Sequence, residues 1–466
     1  MKIIVVGGAP AGIRAALRAR ELGADVTLLE SGRLGGTGFN EGPAPVRALA
    51  RAARLCGNAA AFSTFGLKGD APQVDFKAAI ASAHRVTAHA HHIRQLMTRV
   101  KDAGIEVVDD SGRARFVGHL TLEVEDGRRF EGDRIILAVG GQPRKLPIPG
   151  HHLALSFHDL WALEKLPRRV TVVGGAATGC QVASIVLDLG AQVDLVEAAD
   201  RLIPTSDVDV SRGLRAAFTA RGMNIMTATR SDAIEVQNGR LSVVLQRDGN
   251  RETLETDAVF LMVGWPANLS SLGLDIAGIS TRGPYVLVDQ YLQTNVPKIF
   301  AVGEANGLST VVQTVLLQGS LAAENAVLGP KRIYTPRAVA SASFTDPEYA
   351  AVGLTEAQAR VRHDCVVEVV GYDELPRAII DARTDGMCKL IVDKNTRTLL
   401  GAHVLGPYSA EVVQVAATCM AAGMEVTKIA ELEFAFPTFT EAIGIAVRRI
   451  VHKLGLKAPE WTGNDI

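Results

Sequence analysis

The first residues that could do chemistry form a glycine-rich turn near the N-terminus. Gly7 and Gly12 bracket this turn, and Glu30 follows a helical stretch and a second apolar run. The first glycine permits a tight turn, and the last lets the helix pack closely on the strand. The helix start points unpaired N–H groups at an anion, and the acid accepts hydrogen bonds from ribose hydroxyls. The pattern predicts a site for the adenosine half of a dinucleotide.

The same pattern occurs a second time in the chain. Gly174 and Gly179 bracket the second turn, and Glu197 ends the apolar run that follows. In both copies the acid follows the first glycine by 23 residues. One glycine-rich turn is a weak signal, but two copies with one spacing are a strong one. The sequence therefore predicts two dinucleotide sites.

Both copies depart from the usual pattern at one position. Ala9 and Ala176 stand where the middle glycine is expected. That glycine lets the backbone approach the pyrophosphate. We expect each methyl group to push the phosphates away or to require a shifted loop, with the larger effect at the second site.

The elements around the turns define the fold class. Each turn lies between a short apolar run and a helical stretch, which is the order of a βαβ unit. After about residue 334 the glycine turns stop and an α+β pattern begins. We predict an α/β protein with two Rossmann-like dinucleotide-binding domains and an α+β C-terminal domain.

In its order of elements the chain resembles the class I pyridine nucleotide-disulfide oxidoreductases, a family that includes dihydrolipoamide dehydrogenase, mercuric reductase and the soluble transhydrogenase. The resemblance covers essentially the whole chain. It implies an FAD-binding domain at 1–149, an NAD-binding domain at 150–270, a central domain at 271–335 that completes the FAD site, and a dimerisation domain at 336–466. A homodimer is expected.

The resemblance also assigns cofactor residues. For FAD these are Gly7, Ala9, Gly12, Glu30, Gly36, Thr37, Gly140, Gly303 and Glu304. For NAD they are Gly174, Ala176, Gly179, Glu197 and Gly264. Glu304 stands where the family has an aspartate that binds the flavin ribityl chain, so we expect the longer side chain to keep that hydrogen bond.

The departures from the family concern its sulfur chemistry. Gly38 and Pro43 occupy the positions of the two redox cysteines, and Phe436 occupies that of the C-terminal histidine. Phenylalanine cannot carry a proton. Three losses in one mechanism predict that the thiol relay is absent. Glu441, which follows in the same motif, loses its histidine partner, and its role stays open.

Two further positions near the flavin differ as well. Arg47 replaces the family's lysine, and Gln181 replaces a glutamate that pairs with that lysine. Arg47 keeps the positive charge of the lysine, whereas Gln181 lacks the compensating negative charge of the glutamate. We expect a bias toward anionic reduced flavin.

Hydride transfer from NADH to FAD needs no cysteine. We therefore predict an FAD-dependent NAD(P)H:acceptor oxidoreductase whose small-molecule acceptor is a quinone, oxygen or another nicotinamide nucleotide. The alternative is a catalytically silent FAD/NAD-binding sensor or structural partner. Glu197 would repel a 2′-phosphate, with Arg201 the one cation near it in sequence, so NAD is favoured over NADP.

Composition excludes several other classes. Lysine plus arginine number 49 against 50 aspartates and glutamates, which gives no reason to expect nucleic acid as a partner. No apolar run is long enough to span a membrane, and the first residues already form a strand rather than a signal peptide. The five cysteines are scattered, and a row of histidines, His84, His89, His91 and His92, fits a solvated helix face. We expect a cytoplasmic protein without a metal site.

Overall fold

The computed structural model describes residues 1–70, 72–109, 112–237, 239–336 and 338–457. The chain divides into two compact units. The first comprises Met1–Ala48, Ile80–Arg144 and Gly264–Pro336, and the second comprises Leu49–Ala79, Lys145–Val263 and Arg337–Ile466. The four predicted domains stay a prediction, and residues 458–466 of the last one lie outside the described residues.

The helices of the described residues are α1 Pro10–Glu21, α2 Gly36–Asn40, α3 Pro43–Gly57, α4 Phe76–Arg94, α5 Leu96–Asp102, α6 Ala177–Asp188, α7 Val208–Ala220, α8 Leu274–Ala277, α9 Val312–Leu328, α10 Glu356–Ala359, α11 Pro376–Ile380, α12 Ser409–Ala421, α13 Val426–Ala430 and α14 Glu441–Lys453.

The strands of the same ranges are β1 Lys2–Val6, β2 Asp25–Leu29, β3 Glu106–Val108, β4 Ala114–Phe116, β5 Thr121–Val124, β6 Arg129–Glu131, β7 Arg134–Leu137, β8 Arg169–Val173, β9 Gln192–Val196, β10 Asn224–Met226, β11 Arg230–Gln237, β12 Arg240–Arg247, β13 Asn250–Thr256, β14 Ala258–Leu261, β15 Thr281–Arg282, β16 Tyr285–Val286, β17 Ile299–Ala301, β18 Ser341–Ser343, β19 Tyr349–Gly353, β20 Cys365–Gly371, β21 Met387–Asp393 and β22 Leu399–Leu405.

The first unit is built on a parallel sheet in the order β17–β7–β1–β2–β3. Strand β1 is buried on both faces, as a continuous apolar run in a parallel sheet should be. Helix α9 crosses α1 closely, because a Cβ at Gly319 would stand 2.3 Å from the carbonyl oxygen of Ala11. The sheet and these helices hold the first glycine turn at the carboxyl end of β1.

The second unit repeats this arrangement. Its parallel sheet has the order β10–β9–β8–β14. Lys2 pairs with Asp25 in the first sheet and Arg169 pairs with Gln192 in the second, so both βαβ units have the same register offset. The prediction of two Rossmann-like folds is confirmed.

The C-terminal part of the second unit has a different architecture. Its antiparallel sheet has the order β18–β19–β22–β21–β20, and α12 and α14 pack on it. The fully buried Tyr372 lies in this core. The predicted change to an α+β segment is confirmed.

One helical segment is broken by a single residue. The helical region from Phe76 to Asp102 is interrupted at Gln95, whose φ of 46° lies in the left-handed region. Helix α4 ends at Arg94 and α5 begins at Leu96. An apolar periodicity cannot show such a break, because a single residue outside the helical region changes the direction of the chain without changing the pattern.

Candidate functional site

The first glycine turn leaves no room for side chains at its two ends. A Cβ at Gly7, which has a φ of 101°, would stand 2.3 Å from the carbonyl oxygen of Ala138. A Cβ at Gly12 would stand 1.8 Å from the carbonyl oxygen of Gly7. Both glycines are therefore required by backbone contacts, and they bring the start of α1 close to β1.

Glu30 closes this turn from the end of β2. Its Oε2 accepts a hydrogen bond of 2.6 Å from Gly8 N, and its Oε1 accepts one of 2.7 Å from Gly32 N. Each carboxylate oxygen has two acceptor positions, so both retain capacity for a hydroxyl donor. The acid thus fixes the loop and is available to a ribose diol.

The second turn has the same geometry. A Cβ at Gly174 would stand 2.3 Å from Met262 O, and a Cβ at Gly179 would stand 1.8 Å from Gly174 O. Glu197 accepts hydrogen bonds of 2.6 Å from Gly175 N and 2.7 Å from Ala199 N. The two turns are built alike, down to the bonds that hold the acid.

The alanines inside the turns are accommodated in different ways. Ala9 caps the N-terminus of α1, and a Cβ at Gly36 would stand 2.7 Å from the Ala9 methyl carbon. Gly36, with a φ of 53°, therefore makes room for this methyl group. Ala176 caps α6 and is exposed. The expected effect of these methyl groups on affinity stays a prediction.

Most of the predicted FAD residues line one cleft in the first unit. They are Gly7, Ala9, Glu30, Gly36, Thr37, Gly140 and Glu304, together with Gly38. Gly12 and Gly303 belong to the turns that shape this cleft. The structure thus brings together residues from the glycine turn, the loop after β2, the end of β7 and the turn after β17.

Glu304 lies in a short turn, Gly303–Ala305, that ends in the cleft. Gly303 N donates to Gln318 Oε1 at 2.8 Å, and Asn306 Nδ2 donates to the same oxygen at 3.0 Å. Burial raises the pKa of Glu304 above its usual value. No sequence motif marks Gln318, a polar residue on the buried side of α9, although its side chain fixes the turn that carries Glu304.

A second group of cleft residues was also missed. A Cβ at Gly141 would stand 2.1 Å from Cδ1 of Trp265, so the indole packs on a glycine at the cleft wall. Asn268 N donates to Gly140 O at 3.0 Å. Asn268 Oδ1 is buried with no hydrogen-bond partner among the described residues. The motif around Gly264 and Trp265 was the available signal.

These features fit a dinucleotide cofactor. Gly7 and Gly12 leave no room for a Cβ, two acids face the cleft, and a buried amide oxygen has hydrogen-bonding capacity left over. A buried acceptor of this kind normally has a partner, and a ligand hydroxyl or amine can provide it. The residues present suit the adenosine and polyol parts of FAD.

The residues at the family's redox positions are small or turned outward. Gly38 is inside α2, where a Cβ would stand 3.0 Å from Cγ of Pro10. Pro43 begins α3 and is exposed, as is Arg47 one turn later. A side chain at position 38 would crowd the first residue of α1.

In the second unit, Gln181 is held by backbone groups. Its Oε1 accepts a hydrogen bond of 3.2 Å from Phe344 N, and its Nε2 donates to Ala177 O at 3.3 Å. Arg47 belongs to the first unit, so its expected proximity to Gln181 stays a prediction. Gly264, predicted for NAD, also belongs to the first unit, where Arg144 N donates to its carbonyl oxygen.

Phe436 and Glu441, the two predicted residues of the C-terminal motif, differ in their burial. Phe436 is 65% exposed. Glu441 begins α14, and its Oε2 is buried without a partner among the described residues. Burial raises the pKa of Glu441, and the opposing effect of Arg448 is smaller.

Two further phenylalanines, Phe39 and Phe434, come from segments next to the motifs at Gly38 and Phe436. Phe39 is buried in the core of the first unit, with the guanidinium of Arg94 4.3 Å above its ring. Phe434 packs against α14, where a Cβ at Gly444 would stand 2.7 Å from its ring. Both rings have packing roles within their own units.

Burial affects three of the five cysteines. All five are free, and all five belong to the second unit. Burial raises the pKa of Cys180 and Cys419 and raises that of Cys388 to about 12. Thiols held in their protonated form are poor nucleophiles.

The described residues offer neither a metal site nor a membrane-spanning helix. They contain no group of three or more histidine, cysteine or acidic side chains able to hold a metal ion. His91, from the histidine-rich stretch, contacts Asn40 Oδ1 through Nε2 at 2.7 Å. None of the helices described is long and apolar enough to cross a membrane. The cytoplasmic location stays a prediction.

Comparison with known proteins agrees with this geometry. The family model for pyridine nucleotide-disulphide oxidoreductases matches residues 1–322, and the model for the dimerisation domain of that family matches residues 339–447. A mercuric reductase of Lysinibacillus sphaericus is 28% identical over 95% of this chain and 81% of its own. A dihydrolipoyl dehydrogenase of Bacillus subtilis is 27% identical over 95% and 96%.

A solved structure is also similar. It is that of RclA, an HOCl-induced flavoprotein disulfide reductase from Escherichia coli, with a TM-score of 0.85, 25% identity and coverage of 96% of this chain and 99% of that one. LpdA from Mycobacterium tuberculosis has the same fold, with a TM-score of 0.86 at 24% identity over 97% and 99%.

The chain belongs to the pyridine nucleotide-disulphide oxidoreductase family. It is a family of oxidoreductases that work with a flavin and a pyridine nucleotide, and the prediction of FAD and NAD(H) as cofactors is confirmed at this level. The chain carries the dimerisation domain of the family.

Proposed function

We propose that this protein is an FAD-dependent oxidoreductase that takes reducing equivalents from NADH and passes them to an acceptor other than a disulfide, such as a quinone, oxygen or another nicotinamide nucleotide. The observation that carries the proposal is the cleft of the first unit. It has the FAD-type turn and its acids, with Gly38 in its wall and every cysteine of the chain outside that unit. FAD, when bound, supplies the electron-transfer chemistry.

The chain's own residues have binding roles in this proposal. The start of α1 and Glu30 hold the adenosine diphosphate of FAD, and Glu304 accepts a hydrogen bond from its polyol chain. The start of α6 and Glu197 hold the adenosine of NADH. No side chain has to carry electrons or a proton to a thiol.

Three positions argue against disulfide reduction by the usual route. Gly38 and Pro43 have no sulfur, and Phe436 has no titratable proton. A thiol relay needs both a thiolate and an acid–base partner. The names of the relatives describe the substrates of those proteins, and they do not determine the electron acceptor of this chain.

A preference for NADH over NADPH has support in the second unit. Glu197 sits at the end of β9, and a carboxylate there repels a 2′-phosphate. Arg201, the nearby cation in sequence, donates through Nη2 to Pro204 O at 2.6 Å. Its guanidinium is engaged within its own loop.

We also propose that the protein acts as a homodimer. The match of residues 339–447 to a dimerisation domain supports this. Phe436, which is 65% exposed, lies within that matched range.

An acceptor panel tests the proposal. We expect NADH oxidation with a quinone, oxygen or thio-NAD, negligible rates with lipoamide and glutathione disulfide, and a poorer rate with NADPH as the donor. The five single variants C56A, C180A, C365A, C388A and C419A should retain the quinone rate within about twofold, because no thiol takes part. Turnover of either disulfide at the quinone rate would contradict the proposal. Loss of the quinone rate in one of these variants, with its flavin content intact, would also contradict it.

The competing function is a catalytically silent FAD/NAD-binding sensor or structural subunit. Ala176 in the second turn favours it, because a methyl group stands where the backbone should approach the pyrophosphate. A flavin-containing protein that NADH fails to reduce under anaerobic conditions would support this alternative.

A further inference from the structure

A buried lysine in the C-terminal sheet lies at the centre of an ion network. Lys389 of β21 is 0% exposed, and its Nζ lies 2.9 Å from Asp207, 2.6 Å from Asp209 and 2.6 Å from Glu356. Its three N–H groups thus have three carboxylate acceptors. A fully buried lysine is rare and needs such partners.

The network is balanced in charge. Arg212 lies 3.0 Å from Asp209, and Arg360 lies 2.6 Å from Glu356. Three cations therefore face three carboxylates. The two arginine pairs are partly exposed, whereas Asp207 is only 2% exposed and has no cation other than Lys389 among the ion pairs of the described residues.

The carboxylate of Asp207 accepts hydrogen bonds from the first turns of two helices. Oδ1 caps α7 by accepting a hydrogen bond of 3.1 Å from Asp209 N. Oδ2 accepts one of 3.0 Å from Glu356 N, at the start of α10. Lys389 compensates the buried charge of the carboxylate that accepts both bonds.

The first turn of α7 in turn holds the loop that follows Glu197. Ser211 Oγ donates to Leu202 O at 2.7 Å. Ile203 N donates to Gly175 O at 2.8 Å, inside the second glycine turn. The side chain of Leu202 is fully buried, and a Cβ at Gly175 would stand 2.7 Å from its Cδ2.

This loop needs external support. Ile203 has a φ of 41°, a left-handed conformation that a β-branched residue adopts only under strain. The loop also lines a small pocket beside the first turn of α6, with Ile203, Thr205 and Ser206 on one side and Ala177 of α6 among the other residues. The strained conformation persists because α7 and the glycine turn fix both sides of the loop.

We propose that Lys389 is a positioning residue for the second dinucleotide turn: through Asp207 and the start of α7 it holds the 199–206 loop in the form that binds the adenosine half of NAD(H). This rests on the proposed function, which places NAD(H) at that turn. Lys389 touches no nucleotide itself. Its contribution therefore falls on affinity for the nucleotide and leaves flavin retention and the rate at saturation intact.

The test compares variants of the flavin-loaded protein by calorimetry with ADP-ribose and NAD⁺ as probes. Lys389→Met combined with Asp207→Asn removes the ion pair that links the start of α7 to β21, without leaving a buried charge. We expect about tenfold weaker binding of both probes, a matching rise in KM for NADH and an unchanged kcat. Ser211→Ala, which removes only the loop hydrogen bond, should weaken binding several-fold.

Lys394→Met is the matched control. Lys394 follows β21 and pairs at the surface with Asp364 at 2.8 Å, with no connection to α7. The affinity of the Lys394→Met variant for both probes should equal that of the wild type.

The outcomes are separable. Wild-type protein that binds neither probe overturns the proposed NAD(H) site and this inference with it. Wild-type binding combined with unchanged affinity in Lys389→Met/Asp207→Asn and in Ser211→Ala overturns the inference alone. A fall in thermal stability without a change in affinity would show a purely structural network, which also overturns it.

Discussion

Gly12→Ala is expected to give a protein that purifies without flavin. The added Cβ would stand 1.8 Å from the carbonyl oxygen of Gly7, so the turn has to open and the start of α1 has to move away from β1. Overpacking of this kind disrupts the N–H groups and the helix start that hold the pyrophosphate. We expect the FAD dissociation constant to rise about 100-fold, measured by flavin fluorescence after reconstitution.

The second turn provides a matched control for this variant. Gly179→Ala places a Cβ at the same 1.8 Å from Gly174 O. It should keep FAD and lose reduction by NADH, because the equivalent clash now falls on the other site. Normal flavin content in Gly12→Ala would contradict this prediction. If Gly179→Ala also lost its flavin, the assignment of the two turns would have to be reversed.

Lys389→Met alone is expected to destabilise the fold severely. The substitution leaves Asp207, which is 2% exposed, as a buried carboxylate without its cation. Breaking one side of a buried ion pair costs about 3–5 kcal/mol, far more than loss of a surface pair. Urea unfolding at neutral pH, followed by circular dichroism, measures this loss.

The double variant with Asp207→Asn should recover most of that stability, since no buried charge is left uncompensated.

The pH dependence of stability is a second test of the same network. Burial raises the pKa of Asp207, but hydrogen bonds from Glu356 N, Lys389 and Asp209 N outweigh burial and hold the pKa below its usual value. A carboxyl with a lowered folded-state pKa contributes stability above its unfolded pKa of about 3.9 and loses it as pH falls.

The wild type should therefore lose more stability than the double variant between about pH 5 and pH 2. Equal stability of Lys389→Met and wild type at neutral pH would show that Asp207 is not held by this lysine.

The two dinucleotide turns were predictable because their information is local. Gly7, Gly12 and Glu30 have fixed spacings in sequence, and a βαβ unit converts those spacings directly into contacts. The repeated spacing at Gly174 and Glu197 predicted the second turn for the same reason, and both are built as expected.

The supporting residues were not predictable, because their contacts are distant in sequence. Gln318 fixes the turn of Glu304 from another helix, and Gly36 makes room for the methyl group of Ala9. Lys389 lies 182 positions from Asp207. Nothing in the pattern of an apolar strand indicates that its one lysine points inward to carboxylates of another element.

An anaerobic titration of the purified flavoprotein with NADH, followed by a count of reactive thiols, shows whether electrons from the flavin reach sulfur. We expect that a single equivalent of NADH per flavin bleaches the visible flavin band, that no long-wavelength charge-transfer band appears, and that the thiol count is the same before and after reduction. Uptake of a second equivalent with a charge-transfer band and two newly reactive thiols would contradict this expectation.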